Sequence, residues 1–158
     1  MKNGIYHYTE CGLDTVFLVN GYSYNKTSGG KTVTIHDVDG LHRVIGLALV
    51  SQRERLSGKE LRYLRTELLL SQAMLAKILG VRELTIGRWE KGQTEIPVSA
   101  EAIVRMLFAE SVGEKKGRVK DLLERIADLE DEIDRCKSAR HTRLTLDESK
   151  GRWTSQAA

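Results

Sequence analysis

Two groups of side chains in this sequence have types and spacings that can do chemistry. The first is His7, Cys11, His36 and His42. The spacings His7-x3-Cys11 and His36-x5-His42 are ones that metal ligands use. His36 and His42, however, flank an expected strand-to-helix turn, and nothing in the sequence fixes the direction of either ring. No metal and no cofactor is therefore expected. The second group is Arg82, Arg88 and Lys91, interleaved with the apolar Ile86 and Trp89. At helical spacing that pattern buries one side and leaves the other cationic. A cationic helical face suits contact with a polyanion, not bond making. No HxxEH, GxSxG or phosphate-loop arrangement is present, so nothing points to an enzyme.

The elements that would position the second group are legible around it. Ser57-Gly58-Lys59-Glu60 has the form of a capping box, in which Ser57 bonds the Glu60 amide and the Glu60 carboxylate returns to Ser57. Leu61, Leu64 and Leu68 follow at helical spacing. Ser71 is a good cap for a short second helix, Ala73–Leu79, with Leu75, Ala76 and Leu79 on its apolar face. Gly80 ends that helix where positive φ is expected. A third helix is expected over 82–91, with Ile86 and Trp89 buried and Gly92 as its stop. Pro97 and Ser99 open a fourth, with Ala102, Ile103, Met106 and Leu107 as its expected buried face. Two short helices joined through a glycine turn make a helix-turn-helix. The outer helices complete the core, and the bare face of the third is left free for the major groove, about 12 Å wide.

Leu70-Ser71-Gln72, Leu75-Ala76-Lys77-Ile78-Leu79-Gly80-Val81 and Ile86-Gly87-Arg88-Trp89-Glu90-Lys91-Gly92 together resemble the Xre/Cro-type helix-turn-helix family of phage and bacterial regulators, over about residues 58–110. The resemblance implies a sequence-specific double-stranded-DNA-binding transcriptional regulator, a repressor of its own operon. It also implies roles. Ser71, Gln72, Arg82 and Lys91 would contact phosphates. Glu83, Leu84, Thr85 and Arg88 would face the bases, with Arg88 on guanine and Glu83 accepting from cytosine N4. Leu84 or Thr85 would touch a thymine methyl, and Gly87 would permit close approach. Arg82 stands where Ser or Thr is usual, so the third helix would be less well capped. Arg65 and Glu90 match a buried ion pair tying the first helix to the end of the third.

Farther along, Val119, Leu122, Ile126, Leu129, Ile133 and Cys136 step by alternating threes and fours, an a/d seam. β-Branched residues fill every a position, and Arg125–Glu130 and Glu132–Lys137 attract across a parallel pair. The seam predicts a homodimer, which suits two half-sites about one helical turn, or a multiple, apart.

The first fifty residues read as β-hairpin material followed by a helix. Thr15–Val19 is a strand closed by the turn signal Asn20-Gly21; Tyr22 and Tyr24 alternate after it. A second turn cluster, Asn25–Gly30, leads into a strand over 31–36, and Leu41–Gln52 is helical. This order, with Tyr8-Thr9-Glu10-Cys11-Gly12 before it, resembles MqsA-type antitoxins, whose N-terminal zinc module carries two CxxC pairs and binds a toxin. Only Cys11 is present here, so the resemblance implies that any zinc has been lost; a toxin protein is the partner it suggests.

The expected fold is mainly α with a small N-terminal β module (α+β), a lambda-repressor-like helix-turn-helix bundle plus a C-terminal coiled-coil helix. The expected divisions are a β-hairpin/helix module over 1–54, the DNA-binding domain over 55–112, the dimerisation helix over 113–140 and a disordered tail over 141–158. The tail is polar and lacks a core pattern. A net charge of +3 over 158 residues is a mild hint of a polyanionic partner, and its distribution matters more than the sum. Two distant cysteines imply no disulfide framework and suit a reducing cytoplasm. The longest apolar run, Val44–Val50, is far short of the roughly 20 residues that span a bilayer. Two other functions are compatible with these features: a scaffold using the helices only for protein contacts, which the basic face opposes, and a metal-dependent nuclease using the N-terminal histidines.

Overall fold

A computed structural model describes residues 4–113 and 144–156. Six strands and five helices occur among them: β1 (Tyr6–His7), β2 (Val16–Leu18), β3 (Tyr22–Thr27), β4 (Gly30–Ile35), α1 (Val38–Ser51), α2 (Gly58–Glu67), α3 (Gln72–Leu79), α4 (Glu83–Glu90), α5 (Val98–Ser111), β5 (Leu144–Ser149) and β6 (Arg152–Gln156). They fall into two compact units, residues 1–45 with 142–158 and residues 46–141. The division lies within α1, not at 54 as expected. The proposed dimer seam, Val119, Leu122, Ile126, Leu129 and Ile133 with Cys136, lies outside the described residues.

The first unit has a four-stranded sheet in the order β1-β2-β5-β6 and a separate two-stranded ribbon, β3-β4. In the sheet β2 runs antiparallel to β1 and parallel to β5, and β5 and β6 form a hairpin. Residues 144–156, expected to be disordered, are therefore paired. The hairpin turn is Lys150-Gly151, with φ of 52° and 69°; paired positive φ values are what a two-residue hairpin turn requires. Leu146 and Trp153 enter the core beside Tyr8, Leu13, Val16, Leu18, Tyr22, Leu41 and Ile45.

The same pairing corrects the expected hairpin at Asn20-Gly21. Strand β2 pairs with β1 and β5, while β3 turns away to pair with β4. Asn20 is occupied by β5: its amide donates to Asp147 and its oxygen accepts from the Glu148 N–H. Gly21 has φ of 76°, and a Cβ there would sit 2.2 Å from the Trp153 ring. The indole N–H completes the clasp by donating to the His36 carbonyl at 3.2 Å.

The second unit begins with the end of α1. Helix α2 starts at the expected capping box: Ser57 Oγ accepts from Glu60 N, and Glu60 Oε2 accepts from Ser57 N at 2.7 Å. Its Leu61 and Leu64 are buried, as are Leu75 of α3 and Ile86 and Trp89 of α4. Gly58 lets the start of α2 approach the end of α4; a Cβ there would lie 2.3 Å from the Trp89 carbonyl oxygen.

Helix α5 buries a face rotated from the expected one. Glu101, Val104, Arg105 and Phe108 are buried along with Ala102, whereas Ile103, Met106 and Leu107 are half-buried. The cause is an interior ion pair. Arg105, 1% exposed, donates to Glu101 at 2.6 Å and to the carbonyls of Leu49, Val50, Gln52 and Glu54 at 2.7–3.0 Å. Those carbonyls include ones at the end of α1 that have no partner within the helix, and a cation is electrostatically suited to that position. Glu101 is in turn held by Arg55 Nε at 2.6 Å and by the Leu56 N–H at 3.1 Å. The Arg105 guanidinium thus has carbonyl and carboxylate acceptors around it, although the residue sits at a core position.

Candidate nucleic-acid interface

Helices α3 and α4 are each eight residues long and are joined by a tight turn. Ser71 caps α3 by accepting from the Met74 N–H at 3.0 Å. Gly80 ends it in the left-handed region, φ 67°, and the Val81 N–H returns to the Ala76 carbonyl at 2.9 Å. Arg82 precedes α4 with extended backbone and no side-chain cap, as its departure from Ser or Thr implied. Gly92, φ 67°, closes the far end.

Within α4, Ile86, Trp89 and Glu90 are buried. Glu83, Leu84 and Arg88 face solvent, as do Arg82 and Lys91 at the helix ends, and Thr85 is half-buried. Leu84 is 65% exposed. The side chains of Arg82, Arg88 and Lys91 make no hydrogen bond or ion pair among the described residues. Three unengaged cations against one carboxylate, Glu83, thus line a helix face whose opposite side is core.

That face is held in place by Glu90. Its carboxylate, 4% exposed, accepts from Arg65 Nε at 2.5 Å and from Arg65 Nη2 at 3.2 Å. Arg65 also donates to the Leu70 carbonyl at 2.7 Å. The expected pairing of Arg65 with Glu90 is present. A third member was missed: Gln72 Nε2 donates to Glu90 Oε2 at 2.7 Å. The clamp therefore joins α2, α3 and α4 through one carboxylate. It uses one N–H of the Gln72 amide and leaves the second for another acceptor. Gln72 also lies over Gly87, where a Cβ would meet its Oε1 at 3.7 Å. The sequence signal for this was available: a carboxylate at a core position has more acceptor capacity than one arginine fills.

Residues 61–103 match the family model described as a helix-turn-helix. The match covers about a quarter of the chain, from α2 into α5. It supports the Xre/Cro-type resemblance and a DNA-binding regulator. No curated protein and no solved structure matches. In this helix-turn-helix domain the residues expected to face bases, Glu83, Leu84, Thr85 and Arg88, lie together on α4, and Ser71, Gln72, Arg82 and Lys91 lie at the ends of α3 and α4.

The histidines and Cys11 behave differently. His7 Nε2 bonds the Asp14 carbonyl at 2.8 Å, His42 Nε2 bonds the Tyr8 hydroxyl at 2.9 Å, and Cys11 Sγ donates to the Tyr8 carbonyl at 3.5 Å. His36 lies 3.6 Å from Glu148. Among the described residues no three His, Cys, Asp or Glu side chains converge as a metal site. Nearby, the Tyr6 hydroxyl donates to Glu10, and that bond, with burial added, pushes its pKa up to about 12. No helix among the described residues is long and apolar enough to cross a membrane.

Proposed function

We propose that this protein is a sequence-specific double-stranded-DNA-binding transcriptional regulator that acts as a dimer and represses its own operon. The observation that carries the reading is the solvent-facing cationic surface of α4, backed by the Glu90 clamp. Arg88, Glu83, Leu84 and Thr85 read base edges; Ser71, Gln72, Arg82 and Lys91 hold phosphates. Arg88 has the reach and donor geometry for guanine O6 and N7, a contact worth about 1–3 kcal/mol of discrimination. Rigid backing matters because a base-reading side chain discriminates only if its own position is fixed.

Dimerisation is proposed through Val119, Leu122, Ile126, Leu129 and Ile133. Selection from a pool of random duplexes tests both parts. Enrichment of a two-fold-symmetric motif, with half-sites about one helical turn apart or a multiple of it, is the expected result. Recovery of random sequence would contradict specific recognition, and a single unrepeated half-site would contradict the dimer. The N-terminal unit, in the same proposal, holds a toxin protein; its test is co-purification with a neighbouring gene product on co-expression, and the absence of a complex would count against it.

A further inference from the structure

The β3–β4 ribbon is difficult to explain by folding alone. Its inner rungs are anchored by Tyr22, which is buried, and by Ile35. Beyond Ser23 every residue of β3 is exposed, and on β4 only Val33 and Ile35 are partly covered. The outer rungs, Asn25↔Thr32, Lys26↔Lys31 and Thr27↔Gly30, therefore bury little on either face. A two-stranded ribbon of this kind is only marginally stable in water. Its register adds a cost: Lys26 and Lys31 stand directly opposite each other, and like charges so placed are destabilising.

The local charge is one-signed. No Asp or Glu occurs between Asp14 and Asp37. Neither lysine has a hydrogen bond or ion pair among the described residues. The alternate face of the ribbon carries Ser23, Asn25, Thr27, Thr32 and Thr34, all neutral donors or acceptors. Some of that capacity is used internally, as in Asn25 Nδ2 to Thr34 Oγ1 at 2.8 Å. The turn is Ser28-Gly29, where a Cβ on either Gly29 or Gly30 would meet nothing. The tip is narrow and unobstructed.

We infer that the β3–β4 ribbon is a second duplex-contacting element, which holds the DNA phosphate backbone through Lys26 and Lys31. The inference rests on the DNA-binding reading of the helix-turn-helix domain. A partner phosphate offsets the repulsion that the two lysines otherwise impose. A two-stranded ribbon is also of a size that DNA grooves admit. Protein interfaces, by contrast, are depleted in lysine and built on buried apolar or aromatic anchors. The apolar side chains of the ribbon are already engaged at its base: Val33 and Ile35 are half-buried, and Tyr24, two rungs from the lysine pair, packs edge-on against Tyr6 and Tyr22. The contact is to the backbone and carries no sequence preference of its own.

The full-length double variant Lys26→Gln/Lys31→Gln tests this. Its affinity is measured over a range of salt concentrations on the selected duplex and on a scrambled one. Both affinities should fall by the same factor. The slope of log K against log salt should flatten by about 1.8, from two phosphate contacts at about 0.9 each. Thermal stability should be equal or higher, since a like-charge pair is removed, so a loss of binding would not be a loss of fold. If the wild type binds the duplexes but the variant's slope is unchanged, the inference is overturned while the regulator reading stands, and an acidic protein surface becomes the ribbon's partner. If the wild type binds neither duplex, both fail together.

Discussion

Glu90 backs the proposed interface from inside the protein. Its carboxylate satisfies Arg65 and Gln72 at once, so three helices share one buried charge. A buried ion pair is weak grounds for net stability, but removing one partner leaves the other uncompensated. Glu90→Gln should therefore destabilise the helix-turn-helix domain by about 3 kcal/mol in denaturant unfolding; a change under about 0.5 kcal/mol, the range of an ordinary surface substitution, would show the clamp to be idle. At this scale the sequence was informative. The Ser71 cap, the left-handed Gly80 and the buried Trp89 were readable because each follows from local spacing or backbone geometry, whereas the Arg65–Glu90 pair was implied only by the family resemblance. For Gln72 the resemblance implied a phosphate contact; its bond to Glu90 went unread because it depends on a tertiary approach of α3 to α4 that no spacing announces.

At the scale of elements, what the sequence concealed was non-local. Residues 144–156 contain few apolar side chains, so they read as a tail. They fold because Leu146 and Trp153 fill a core made by residues more than a hundred positions earlier, and because Asn20 and Gly21 accept β5 and the indole. The local signals were the alternation Leu144-Thr145-Leu146 and the Lys150-Gly151 turn. Asn20-Gly21 misled for the complementary reason: the turn is present, but its strands join different sheets. Helix α5 was rotated in the reading because only apolar side chains, Ala102, Ile103, Met106 and Leu107, were counted toward its buried face, while Glu101 and Arg105 are buried. Their burial is explained by non-local partners: the carbonyls of residues 49–54 for Arg105, and Arg55 with the Leu56 N–H for Glu101. If β5 and β6 are structural, Trp153→Ala should cost about 3–5 kcal/mol, the usual range for deleting a buried aromatic. The unfolding of the first unit, followed by amide exchange, reports it. Exchange rates in β1 and β2 equal to wild type would show the hairpin to be dispensable.

For the whole molecule, we propose that one unit recognises DNA sequence while the other serves partners and, through its ribbon, the duplex backbone. The α+β class and the helix-turn-helix bundle were legible, since periodicity, caps and glycines agree along residues 57–92. The division within α1 was not, because a continuous helix gives no composition change at a boundary between cores. The central claim is that the outer face of α4 reads base pairs. The most direct measurement compares binding of wild-type, Arg88→Ala and Lys91→Ala proteins across a panel of duplexes carrying every single-base change in the selected site. Arg88→Ala should lose discrimination at one base pair, by about 1–3 kcal/mol, and keep the remaining pattern. Lys91→Ala should weaken every duplex alike. An Arg88→Ala profile with the wild-type pattern intact at every position would contradict the claim.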